Sequence, residues 1–159
     1  MRLNSIVPNF EADSTQGPIN LYDWQGDSWV VLFSHPADFT PVCTTELGRL
    51  AVHKPHFEKR NTKLLALSVD QLDDHVDWVN DIKSYCQDIP GDFPYPIVAD
   101  PDRSLAVQLG MIDEEGKRRS GQCHDYPCAL RHQSRPQTPA IYALSDLHRT
   151  QRRRDSESH

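Results

Sequence analysis

The apolar positions of this chain fall into two patterns, and each predicts a different kind of element. Trp29-Val30-Val31-Leu32-Phe33-Ser34 and Lys63–Val69 (KLLALSV) are nearly continuous apolar runs, as expected of strands buried on both faces. Tyr95–Ala99 (YPIVA) predicts a third, shorter strand. The second pattern is periodic. Leu72, Val76, Val79 and Ile82 recur at spacings of 4, 3 and 3, which predicts an amphipathic helix from Leu72 to about Tyr85. Asp73, Asp74 and Asp77 load its first turns, where the helix dipole favours negative charge. A helix from about residue 44 to 60 carries Pro55, which predicts a kink or break near His53–Pro55. Ser104–Leu109 reads as a short helix with Gly110 as its cap. Residues 3–28 read as an extended lead-in with turns at Pro8, Gly17-Pro18 and Gly26. Strands alternating with helices predict an α/β fold around a parallel-type sheet.

Composition changes this picture at one place. The net charge of −6 over 159 residues argues against a general nucleic-acid binder. That average hides a break near residue 118. Residues 1–117 hold 9 Lys and Arg against 19 Asp and Glu, whereas residues 118–159 hold 8 against 4. The second stretch lacks apolar periodicity and contains QSRPQTP, TQRRR and SESH, the composition of a basic, poorly ordered tail. The expected organisation is therefore a folded domain over 1–117 and a tail over 118–159. No apolar run is long enough to span a membrane, and MRLNSIVPNF is not a secretory signal. Four cysteines (Cys43, Cys86, Cys123 and Cys128) form no dense disulfide framework, so the expected compartment is the reducing cytoplasm.

The candidate chemistry lies in HPADFTPVCTTEL, His35 to Leu47. It places Cys43 between the end of a buried strand and the start of a helix expected at about Thr44, with Glu46 in its first turn. Unpaired backbone N–H groups gather at a helix N-terminus. They and the dipole stabilise a thiolate, the nucleophilic form of cysteine. Thr40 can offer a hydroxyl to the sulfur or to a substrate oxygen. Pro41, with no N–H and a fixed φ, can wall a pocket. The competing reading is an inert buried thiol, the commoner fate of a free cysteine.

PxxFTPVCTTE, Pro36 to Glu46, resembles the active-site motif of the peroxiredoxins, the 1-Cys branch in particular. The similarity continues through VPNFEA (Val7–Ala12), Gly26–Leu50, Lys59–Trp78 and Phe93–Lys117, and stops there. It implies a thioredoxin-like (peroxiredoxin) fold, C-terminally incomplete in this chain. It also implies a peroxidase reducing hydrogen peroxide and organic hydroperoxides through Cys43, with Thr40, Pro41 and His35 in the pocket. No cofactor or metal is implied. The implied partners are the hydroperoxide and an external thiol, glutathione, that returns Cys43 to its reduced form. A family-type homodimer would be weakened here, since the family's C-terminal contact domain does not fit in this length. The alternative is a non-enzymatic or defective redox-responsive product that keeps the motif but lacks the arginine the family places before an ALFVI-like strand.

The tail carries a further signal. Read one base out of register, Arg118–Cys123 can encode DVRDNA and His124–His132 can encode MTTRALFVI. Leu144–Gln151 can likewise give SAIYTGRN, and Arg154–Ser158 can give EILRV. These strings, in order and in one frame, resemble the missing part of a 1-Cys peroxiredoxin. The expectation is one extra base near codon 118, which puts Pro127 at the position of the family's arginine. Codon degeneracy makes any one short match meaningless, so the weight rests on their spread.

Other groupings carry less. Cys123, His124, Cys128 and His132 have an unusual spacing for zinc, and in an out-of-frame tail they are accidental. Gly26-Asp27-Ser28-Trp29-Val30 resembles the GDSWG segment some 1-Cys peroxiredoxins use for phospholipase activity, but Val30 replaces the last glycine and Tyr22 the partner histidine. A turn entering a strand is the preferred reading. Cys86 ends a helix with no two-cysteine signature around it and reads as a structural thiol. Thr44, Thr45 and Glu46 follow Cys43, so there is no C-x-x-C for dithiol exchange.

Overall fold

The computed structural model describes residues 6–115, 117 and 141–144. Its elements in order are β1 (Glu11–Ala12), β2 (Ile19–Asn20), α1 (Leu21–Gln25), β3 (Trp29–Ser34), α2 (Pro41–Glu58), β4 (Thr62–Ser68), α3 (Leu72–Tyr85), β5 (Ile97–Ala99), α4 (Ser104–Gln108) and β6 (Ile141–Leu144). The main sheet runs β5-β4-β3-β6, and β1 and β2 form a separate antiparallel pair. β3 and β4 are parallel with Trp29 opposite Thr62, and β4 and β5 are parallel with Ala66 opposite Ile97. β6 runs antiparallel to β3.

Alternation along the strands divides the core in two. Phe33, Leu64, Ala66 and Ile97 face one layer with Cys43, Leu47 and Ala51 of α2 and Trp78 and Ile82 of α3. Val30, Leu32, Leu65, Leu67 and Val98 face the other, with Phe10, Ile19, Leu21, Leu105 and Leu109. Both faces of β3 and β4 are therefore covered, as their continuous apolar runs predicted.

Five expectations change. The lead-in is not wholly extended: it holds the β1–β2 pair and α1, whose N-cap Asn20 accepts from the Asp23 backbone N–H. α2 begins at Pro41 rather than Thr44, because proline suits the first helical position and Thr40 before it is extended. Glu46 consequently lies in the second turn. Pro55 does not break α2, which continues to Glu58. The buried face of α3 is His75, Trp78 and Ile82, while Val76 is exposed. Periodicity of apolar types missed this rotation because His75 is buried with a polar partner. Finally, four residues assigned to the tail, Ile141–Leu144, pair with the open edge of β3, which otherwise presents unpaired N–H and C=O groups. The remainder of the tail, including Pro127 and the Cys123–His132 grouping, lies outside the described residues. Gly110 behaves as expected, adopting φ +71 just after α4 and donating to the Val107 carbonyl.

Candidate active site

β3 ends at Ser34 against the middle of the sheet, and the loop 35–40 must return the chain to start α2. Phe39 turns it with φ +57, a left-handed conformation uncommon for a residue with a side chain. Such strain costs about 1–3 kcal/mol and persists only where the surroundings hold it. Phe39 is 53% exposed, so burial of its own ring does not supply the restraint.

Asp38 does. Its backbone N–H donates to Asp70 Oδ2 at 2.8 Å, and Asp70 also accepts from the Ser68 hydroxyl. Its carboxylate accepts from His35 Nε2 at 2.6 Å and from His75 Nδ1 at 2.5 Å. Asp38, His35 and His75 are all buried. Burial pushes the Asp38 carboxyl up, but the hydrogen bonds from the two imidazoles outweigh it and hold the group below its ordinary 3.8. The same three residues are the one His/Cys/Asp/Glu group compact enough for a metal among the described residues. Two ligands at about 2.0–2.2 Å from one zinc stand roughly 3.4 Å apart at a tetrahedral angle. The observed 2.5 and 2.6 Å contacts are instead those of charge-assisted hydrogen bonds.

Cys43 is the third residue of α2, in its first turn, where backbone N–H groups lack intrahelical partners. It is buried in the same core layer as Phe33 and Trp78, and it is a free thiol. Thr40 is the N-cap by backbone geometry, its carbonyl accepting from the Thr44 N–H at 2.9 Å. Its hydroxyl donates to the Ala37 carbonyl at 3.2 Å rather than capping the helix. Pro41 occupies the exposed first position of α2. Thr44 joins this turn to α3: its hydroxyl donates to the Thr40 carbonyl at 2.8 Å and accepts from Trp78 Nε1 at 3.0 Å. The His35 ring lies against Trp78 with 4.8 Å between centroids.

The geometry thus gathers His35, Thr40, Pro41 and Cys43 on one loop and one helical turn. It adds Asp38, Asp70, His75 and Trp78, which sequence reasoning did not select. An i, i+3 pair of ring residues on α3 was the available signal for His75 and Trp78; nothing local marked Asp38 or Asp70. Cys86 lies elsewhere, at the C-cap of α3, and packs on α2. A Cβ added at Gly48 would stand 2.3 Å from its sulfur. Ser28 of the GDSWV segment donates to the Asn61 side chain in the turn preceding β3.

A cysteine at the start of the helix that follows the first strand of a central, largely parallel sheet defines a thioredoxin-like protein. The AhpC/TSA family sequence model matches residues 3–137, and the chain belongs to that family. Peroxiredoxin-6 of Gallus gallus is 56% identical over 120 residues, 75% of this chain and 54% of that protein. A probable 1-Cys peroxiredoxin of Syntrichia ruralis is 50% identical over 120 residues, 76% of this chain and 54% of its own length. Among solved structures, a cysteine-to-serine variant of the Peroxiredoxin 6 of Arenicola marina superposes with a TM-score of 0.72 at 43% identity, covering 91% of this chain and 60% of that one. A yeast mitochondrial 1-Cys peroxiredoxin, described as resolved through glutathione/thioredoxin systems, gives 0.67 at 51% identity over 70% and 52% of the two chains. The sequence resemblance to 1-Cys peroxiredoxins therefore holds, and the chain spans about half the length of the curated relatives it matches.

Proposed function

We propose that this chain is a thiol-dependent peroxidase in which Cys43 reduces hydrogen peroxide and organic hydroperoxides. The observation that carries the reading is the placement of Cys43 in the first turn of α2, behind a loop held by buried hydrogen bonds. The thiolate sulfur attacks one oxygen of ROOH, the O–O bond breaks, and the departing alkoxide takes a proton to leave as ROH. Cys43 becomes a sulfenic acid. One external thiol condenses with it, releasing water and leaving a mixed disulfide. A second thiol restores Cys43 and leaves as the external disulfide. Glutathione is the proposed thiol, by resemblance and by the description of the yeast relative. Unpaired N–H groups of the first turn and the Thr40 hydroxyl, once rotated from Ala37, would hold the peroxide oxygens. His35 and Pro41 would shape the pocket. Free thiols at Cys43 and Cys86 fit a reducing, cytoplasmic setting. No helix among the described residues is long and apolar enough to cross a membrane.

The test is peroxide consumption by the purified full chain with glutathione as reductant. Turnover above the uncatalysed thiol reaction supports the proposal; none overturns it. The division into a peroxiredoxin unit over 1–117 and an out-of-frame segment from 118 is proposed on the same footing. Its support is that the curated relatives align over only 120 residues, although the family match itself runs to residue 137. Deleting one base at codon 118 should raise the peroxidase rate on the order of a hundredfold, by returning a preorganised arginine to the pocket. An unchanged rate and melting temperature would overturn the frameshift. A homodimer of the family type is proposed to be weakened in this chain and to strengthen in the frame-restored one.

A further inference from the structure

We propose that His75 is a positioning residue for the Cys43 reaction, acting through Asp38 to fix the 35–40 loop and the first turn of α2. The inference rests on the reading of Cys43 as the reactive thiol. His75 sits on α3, in another element from every residue the motif contains, and it is fully buried. A carboxylate can only accept. Asp38 therefore accepts one hydrogen bond from each ring, from Nε2 of His35 and Nδ1 of His75. The other nitrogens, His35 Nδ1 and His75 Nε2, are buried without a partner among the described residues. A proton placed on either would be a buried donor with no acceptor, so the hydrogen bonds have one direction, from both rings toward Asp38.

That direction matters because Asp38 immediately precedes Phe39, the strained residue that aims the chain into α2. Two anchors meet at Asp38: His75 on its side chain, and Asp70 on its backbone N–H. The groups facing its carboxylate are His35 from its own loop and His75 from α3, with the Asp70 carboxylate on its backbone side. From the same face of α3, three residues on, Trp78 supports the His35 ring and binds Thr44, the neighbour of Cys43. α3 thus grips the loop at Asp38 and the helix start at Thr44. Loss of the His75 donor would leave Asp38 with one imidazole, and its carboxylate would take up a proton at higher pH.

The experiment compares His75→Asn, His75→Gln and His75→Leu in the full chain. Asparagine can present an N–H near the position of Nδ1; glutamine reaches instead toward Nε2; leucine has no donor. Two profiles are read against pH: kcat/KM for hydrogen peroxide, and the rate of Cys43 alkylation by iodoacetamide, located by peptide mass spectrometry. The expected result is that His75→Asn stays within about threefold of wild type. His75→Gln, and His75→Leu where it folds, should fall by on the order of 10- to 100-fold, the scale of a misplacement near 1 Å. Their acid limbs should move to higher pH. Equal profiles for the asparagine, glutamine and wild-type chains would overturn the inference, as would equal losses for asparagine and glutamine with no displacement of the acid limb. Should wild type fail to reduce peroxide, the functional reading fails. The alkylation profiles then decide the His75 inference by the same criteria.

Discussion

Cys43 and Cys86 stand at opposite kinds of helix end within one packed pair of helices. Cys43 is in the first turn of α2 and buried, while Cys86 caps the C-terminal end of α3 and is partly exposed. Exposure alone would select Cys86 as the reactive thiol. The backbone selects the other: a helix N-terminus favours developing negative charge and a C-terminus opposes it. The neighbours differ in the same sense. Cys43 follows a loop fixed by Asp38, His35 and His75, whereas the Cys86 sulfur fills the space a glycine leaves on α2. Burial, and secondarily the charge Cys86 would carry, hold the Tyr95 phenol well above 10.0, and its hydroxyl donates to the Leu47 carbonyl in the same region. On the proposed function, one cysteine is placed for chemistry and the other for packing.

The largest effect should come from Cys43→Ser, which reduces peroxide consumption to that of the free external thiol in a turnover assay. Retained turnover would break the contrast between the two cysteines. Next is Gly48→Ala, which tests the packing role of Cys86. The new Cβ would meet Sγ at 2.3 Å and Cβ of Cys86 at 3.1 Å. Overpacking of this kind costs about 1–3 kcal/mol, measurable as a lower urea midpoint, and Cys86→Ala in the same chain should recover part of it.

Acid should probe the loop that serves Cys43. Asp38 titrates below 3.8 in the folded chain, so its pairing stabilises above that pH and is lost as pH falls through the folded value. Asp100 works in the opposite sense. Burial, only partly offset by the Leu105 and Ala106 N–H groups, raises it, so protonation favours the native state as pH falls. Asp38→Asn should therefore flatten the acid loss of stability below about pH 4, read by urea unfolding at stepped pH. An unaltered acid limb would show that Asp38 does not anchor the loop. The smallest effect is expected from Cys86→Ser, less than about twofold in peroxidase rate, since Cys86 lies at the opposite end of α3 from His75.

The local pattern of the chain disclosed much of this arrangement. The two central strands were legible because burial on both faces leaves continuous apolar runs, and the TPVC segment marked the turn that carries the thiol. The α2 start was misplaced by three residues because Pro41 was read as a pocket wall rather than as a first helical residue. The supports of the loop were not legible. Asp38 and His75 are 37 residues apart, and each alone resembles an ordinary polar residue. Their burial makes sense only once α3 is laid across the start of α2. β6 was missed because a basic tail composition hid a four-residue apolar segment able to complete the β3 edge.

On the proposed function, helix position rather than exposure makes Cys43 the thiol that meets peroxide. The most direct test is to follow both cysteines in one wild-type sample after mixing with hydrogen peroxide. Quenching with an isotopically coded alkylating agent and peptide mass spectrometry gives the two second-order rate constants side by side. Cys43 should be consumed on the order of a hundredfold faster than Cys86, the scale of one preorganised electrostatic contribution. Equal rates, or faster loss of Cys86, would contradict it.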